Sequence, residues 1–151
     1  MIESNREIKK PSEKREIMPR FEASALRGYC VSVLMASGVE RSCAEAVADA
    51  LIDAELTGVS THGVSRLAVY MQRMDAGVMS RENNIRIVRE STSTLVVDAG
   101  NSLGAAAAKF AMERCIAKAK ETGCCFASVH SSNHFGTAAY YTRLAAAQDM
   151  I

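Results

Sequence analysis

The chain has 151 residues, 48% hydrophobic and 23% charged, with a formal net charge of +1. That length supports one globular core of ordinary size, and the near-neutral balance supplies no field to draw nucleic acid or an anionic membrane surface. No apolar stretch approaches the roughly 18 residues that a membrane-spanning helix needs, and no aromatic-plus-basic run offers a surface for stacking bases.

Residues 1–20 hold six lysines or arginines, four glutamates and both prolines of the chain. A segment that polar is expected to be a disordered tail. Its glutamates speak against a mitochondrial presequence and its lack of an apolar core against a secretory signal, so a cytoplasmic protein is expected. The five cysteines, at 30, 43, 115, 124 and 125, are odd in number and lack the paired spacing of a disulfide framework. Reduced, mostly buried thiols are the expectation.

The spacing predicts a first helix over 21–37, with Ala23, Leu26, Cys30, Val33 and Leu34 on one side and Gly38 as a left-handed end. Ser42 and Glu45 have the spacing of a capping box, ahead of a second helix whose apolar side is Ala46, Val47, Ala50, Leu51 and Ala54 and which runs to Gly58. Ser60 or Thr61 is placed to cap a third, running to about Ala76. Together these make a helical layer over 21–80. The period then drops to two: Ile85, Ile87 and the run from Thr94 to Val97 read as strands, with Asp98, Ala99 and Gly100 turning the chain.

A long alanine-rich helix is predicted from Leu103 to Thr122, closing at Gly123. The run Cys124 to Ser128, followed by the β-branched Val129, predicts a buried strand, and residues 135–149 a last helix, which the serines of the 130–132 segment are expected to cap rather than to bind a ligand. The fold class is therefore α/β: a helical layer, then strand, helix, strand, helix over 81–151, with the parallel pairing that a right-handed crossover produces. Gly100 and Gly104 are not spaced as G-x-G-x-x-G, so no dinucleotide fingerprint of the Rossmann type is present.

Two constellations carry chemistry. On the third helix His62, Arg66, Tyr70 and Arg73 are spaced by four, four and three residues, which makes one polar stripe opposite Val64, Leu67, Met71 and Met74. Such a stripe reads either as a solvated face or as a carboxylate site, with the planar fork of Arg66 taking two parallel hydrogen bonds and His62 donating to the same small acid. The second is His134, predicted on the turn between a strand's carboxyl end and a helix's amino end, where open α/β folds place their chemistry. A lone histidine beside an apolar strand reads as structural or as an acid/base. With an ordinary pKa near 6.5, an imidazole takes a proton from a hydroxyl, or returns it to a carbonyl, near neutral pH.

His130 and His134 also form an H-x3-H pair just downstream of Cys124 and Cys125, which raises a zinc site as a competing reading. Adjacent cysteines on a strand point to opposite faces and no C-x2-C partner exists, so no metal ligand is assigned.

THGVSRL, Thr61 to Leu67, followed by Tyr70, Arg73 and Gly77, and then SNHFGTAAYY, Ser132 to Tyr141, resemble the malate/L-lactate dehydrogenase family that lacks a Rossmann domain. That family also takes in ureidoglycolate and sulfolactate dehydrogenases and piperideine-2-carboxylate reductases. The resemblance runs from about Phe21 to the last residue. It implies that His134 is the catalytic acid/base, that Arg66 and His62 bind and orient the substrate carboxylate, and that Tyr70 joins them. It implies a fold in which helices from both chain ends pack against an α/β domain that binds NAD or NADP, with homodimers and an active site between domains. No cofactor-binding residue of this chain is assigned by it.

The function so implied is an NAD(P)-dependent oxidoreductase of a small 2-hydroxy acid, malate or lactate, and its 2-oxo acid. The alternatives are a cyclic imino acid reductase and, outside enzymes, a non-catalytic truncated subunit or interaction module. Chains of the family continue well beyond the segment matched here, and Met150 with Ile151 reads as the start of a further strand cut short. The 151-residue chain alone is accordingly expected to be marginally stable or aggregation-prone and inactive.

Overall fold

Alanine is the residue that lets helices approach closely, and five of the nine buried positions on the second helix are alanine. This helix, α2 (Arg41–Leu56), buries Cys43, Ala44, Ala46, Val47, Ala48, Ala50, Leu51, Ile52 and Ala54. It is consequently covered on several sides, by α1 (Ala23–Ala36), α4 (Gly104–Thr122) and α5 (Ala138–Ala146). The apolar side expected for α2 is thus part of a wider buried surface. A computed structural model describes residues 20–151; the expected polar tail lies, but for its last residue, outside them. One hydrophobic cluster joins Cys30 and Leu34 of α1, Val47 and Leu51 of α2, Leu67 and Met74 of α3 (Ser65–Asp75), and Tyr140 and Tyr141 of α5. Burying a side chain such as Leu34 or Leu51 stabilises by about 1.5–3 kcal/mol relative to leaving it in water.

Charged contacts tie the same helices together. Asp49 of α2 meets Arg27 of α1 at 2.6 Å and Lys109 of α4 at 3.3 Å. Arg143 of α5 pairs with Asp53 of α2. Among the described residues no helix is long and apolar enough to cross a membrane.

Three local expectations change. The capping box at Ser42 does not form, because α2 starts two residues earlier, with Glu40 as its N-cap: Ser42 is inside the helix and donates to Glu40 Oε1 at 2.6 Å, while Glu45 turns to Arg41 at 3.7 Å. The third helix begins at Ser65, after a separate 3-10 turn, Ser60–His62. Glu55 of α2 breaks the run: its carboxylate accepts the Val64 N–H at 2.8 Å and occupies the space beside Gly63 that a Cβ would fill. A carboxylate nine residues back, rather than Ser60 or Thr61, therefore satisfies the backbone ahead of α3. The last helix starts at Ala138, and the serines at 131 and 132 do not cap it; Thr137 is its N-cap and makes no side-chain cap bond.

The sheet has the order β1-β2-β3, with β1 (Arg86–Glu90) antiparallel to β2 (Thr94–Asp98) and β2 parallel to β3 (Phe126–His130) across α4. Gly123, at φ +85, ends α4 in the left-handed conformation expected of it. Leu95 and Val97 are buried on the face toward α4, and their register partners Ala127 and Val129 share that face. β3, however, is exposed along its whole length, with Phe126 81% accessible. The expectation of a buried strand fails because a run of apolar residues does not report what covers it: β3 is an edge strand with one neighbour, and α5 packs on α4 and α2. The five cysteines are free thiols, with Cys30 and Cys43 buried and Cys124 exposed.

Candidate active site

His134 lies where the β–α turn was expected, between the end of β3 at His130 and the start of α5 at Ala138. The loop that carries it is seated by three sets of contacts. Asn133 donates through Nδ2 to Asn101 O at 3.0 Å, Asn101 Oδ1 at 2.9 Å and Ser102 O at 3.0 Å, all on the turn between β2 and α4. Asn101 N donates to Ser131 O at 2.8 Å, and both residues adopt left-handed φ angles, +59° and +51°. Gly104, the first residue of α4, has the Asn133 and His134 carbonyls where a side chain would begin: a Cβ there would lie 2.1 and 2.6 Å from their oxygens.

The helical layer brings the second half of the site. Tyr70 of α3 is buried, 3% accessible, and its hydroxyl is 2.8 Å from His134 Nδ1. The polar stripe is therefore not simply a solvated face. Burial pushes the Tyr70 phenol up to about 12, against a smaller opposite effect from Arg66, so it stays a neutral hydroxyl. His62 is on the 3-10 turn rather than on α3, and its ring still reaches His134, with centroids 5.3 Å apart. Thr61 sets both neighbours: its hydroxyl is 3.0 Å from His62 Nδ1, and its carbonyl accepts Arg66 Nε at 2.6 Å. That contact leaves the terminal nitrogens of Arg66 as a fork.

The four side chains singled out in the sequence, His134, Arg66, His62 and Tyr70, thus converge. A cleft of about 440 Å³ opens beside them, lined by Arg66, Tyr70 and His134 and also by Val69, Arg73 and Asn133. Partial burial, then the nearby His62 and Arg66, hold the His134 imidazole below its usual pKa. At neutral pH it is the free base. With Nδ1 engaged by Tyr70, Nε2 is the nitrogen left to a ligand, and which nitrogen carries the proton follows from the direction of the Tyr70 bond.

Asn133 and Gly104 were not singled out as site residues. Asn133 stands next to His134 in the sequence, but nothing in its spacing points to acceptors 31 and 32 residues away. Of the zinc alternative's residues, Cys125 donates its thiol to Phe126 O at 3.8 Å, and among the described residues no group of three histidine, cysteine or acidic side chains is placed to hold a metal.

Fold and site together define an α/β chain whose histidine and arginine meet beyond the carboxyl ends of parallel strands, under a helical layer. The chain belongs to the malate/L-lactate dehydrogenase family, which its residues 21–151 match. It is 40% identical over 121 residues to an L-sulfolactate dehydrogenase of Methanocaldococcus jannaschii, covering 80% of this chain and 35% of that one. It is 36% identical over 125 residues to a malate/(S)-sulfolactate dehydrogenase of Methanothermus fervidus, covering 83% and 37%. The solved malate dehydrogenase of Pyrococcus horikoshii superposes with a TM-score of 0.83 at 36% identity, over 86% of this chain and 37% of that one. A delta1-piperideine-2-carboxylate reductase from Pseudomonas syringae shares the fold, with a TM-score of 0.79 at 20% identity, over 87% of this chain and 40% of that one. The chain thus spans little more than a third of the length of the relatives it matches.

Proposed function

We propose that this chain supplies the acid/base and the carboxylate clamp of an NAD(P)-dependent oxidoreductase that interconverts a small 2-hydroxy acid of the malate or lactate type and its 2-oxo acid. The observation that carries the reading is the contact between Tyr70 and His134 Nδ1 in a cleft that also presents the Arg66 fork. Oxidation of a 2-hydroxy acid requires loss of the hydroxyl proton together with the C2 hydride. The Arg66 terminal nitrogens receive the C1 carboxylate in two parallel hydrogen bonds, and His62 orients it. In the tautomer protonated on Nδ1, His134 donates to the Tyr70 oxygen and offers the Nε2 lone pair to the substrate hydroxyl. The resulting imidazolium keeps its bond to Tyr70, which positions the ring and does not itself ionise.

The nicotinamide nucleotide enters this reading from family membership, as hydride carrier. The described residues build no glycine cradle for it, since Gly104 is filled by the Asn133 and His134 carbonyls and a Cβ at Gly100 would lie 2.4 Å from the Asn84 side chain. A hydroxy acid is preferred to a cyclic imino acid because the relatives named for malate and sulfolactate are 36–40% identical, whereas the imino acid reductase is 20% identical and shares the fold only. A cytoplasmic homodimer belongs to the same proposal.

The test, made in a full-length form, is reduction of a panel of 2-oxo acids by NADH and NADPH with and without the His134→Ala substitution. Turnover is expected to fall by about 100-fold or more, with the melting curve retained. An unchanged rate removes His134 from the mechanism.

A further inference from the structure

The cleft beside His134 carries more positive charge than one carboxylate balances. Arg27, Arg81, Arg86 and Arg143 each meet a carboxylate. Arg66 and Arg73, the two arginines of the cleft, meet none among the described residues, and no acidic side chain lines the cleft. They are seven residues apart on α3, two turns along one face, so their Cα atoms are separated by about 10 Å and both side chains reach the same opening.

Arg73 is also held rather than free. Its Nη2 donates to Asn133 Oδ1 at 3.3 Å, and the Asn133 amide is oriented by the three acceptors that take its Nδ2. The residue that seats the His134 loop therefore also carries a guanidinium at the far end of the cleft from Arg66. Its remaining N–H groups have no protein partner among the described residues. Val69, part-exposed between the two arginines, gives a short carbon chain an apolar surface.

We propose that Arg73 is a specificity-determining residue that receives a second anionic group, so that the cleft selects dianionic 2-hydroxy and 2-oxo acids over monoanionic ones. The ligand has a C1 carboxylate on Arg66, its 2-oxygen at His134 Nε2, and a carboxylate or other oxyanion at the distal carbon on Arg73. A monoanion leaves one guanidinium uncompensated; a dianion neutralises both. This inference rests on the reading of the cleft as a 2-hydroxy acid site.

The experiment is a titration of the chain with L-malate and with L-lactate at pH 7.5 and low salt, followed by the His134 imidazole resonances, for wild type, Arg73→Gln and Arg73→Lys. Wild type is expected to bind malate at least tenfold more tightly than lactate, one charge-assisted contact being worth roughly that factor or more. Arg73→Gln should bring malate down toward the lactate affinity, with a loss at least tenfold larger for malate than for lactate. Arg73→Lys should keep part of the preference, which separates charge from fold. Equal affinities in wild type, or equal losses for both acids in Arg73→Gln, overturn the role of Arg73 while the hydroxy acid reading stands. Binding of neither acid overturns that reading and this inference with it.

Discussion

Replacing Gly104 by alanine tests whether the site is seated as described. The added Cβ would lie 2.1 Å from the Asn133 oxygen and 2.6 Å from the His134 oxygen, where Cβ atoms are essentially never found closer than 3.0 Å. The obstacles are backbone carbonyls, so no side-chain rotation relieves the contact. The loop has to retreat by about 0.9 Å, a displacement large against the tolerance of the 2.8 Å contact between Tyr70 and His134 that the same loop carries. Overpacking of this kind costs about 1–3 kcal/mol. At about 2–4 °C per kcal/mol for a chain of this size, the melting temperature should fall by roughly 2–12 °C. Gly28→Ala in α1 is the control, since nothing lies within 4 Å of a Cβ there. It should stabilise the helix by about 0.5–1 kcal/mol. The assay is a thermal melt with the His134 imidazole followed by NMR. Equal melting curves for the two variants, with an unmoved imidazole, refute the close seating of the loop on α4.

Arg66→Lys should weaken binding of a 2-oxo acid by roughly tenfold or more, because a point charge cannot replace the fork; an unchanged dissociation constant in a titration with pyruvate supports the solvated-face reading instead. His134 has its folded pKa lowered below the unfolded value near 6.5. The unfolded chain therefore binds the extra proton first on acidification, and stability should decline as pH falls from about 6.5 toward the folded pKa. His134→Gln should flatten that part of a urea-midpoint-against-pH curve, and an identical curve would assign the slope elsewhere. The Thr137 hydroxyl is buried without a hydrogen-bond partner among the described residues. Thr137→Val should leave the melting temperature equal or raise it by an amount worth up to about 2 kcal/mol, and a clear loss would reveal a partner for that hydroxyl.

How much of this was legible in the sequence follows from the range of each interaction. Helix α4 and its end at Gly123 were read correctly, because helical periodicity and a left-handed glycine are local properties. The two Ser-based caps were misread for a local reason of another kind: a hydroxyl has several acceptors within reach, and Ser42 took the Glu40 carboxylate. The single long third helix was misread because Glu55, from the preceding helix, reaches the backbone at Val64. The exposure of β3 was hidden because a strand's composition says what it can bury and not which neighbour covers it.

By itself the sequence determined that His134 stands on a turn after a strand and that Arg66, Tyr70 and Arg73 share one face of a helix, since spacing sets where side chains stand along their own element; His62, read onto the same helix, falls on the 3-10 turn ahead of it. Only the tertiary structure decided what these groups do to one another. Tyr70 meets His134 across 64 residues, and Asn133 reaches back to the turn before α4 and across to Arg73. Packing α2 between α1, α4 and α5 brings those segments together. Energies of hydrogen bonding and partial burial depend on distances of a few ångströms, which no periodicity along the chain encodes.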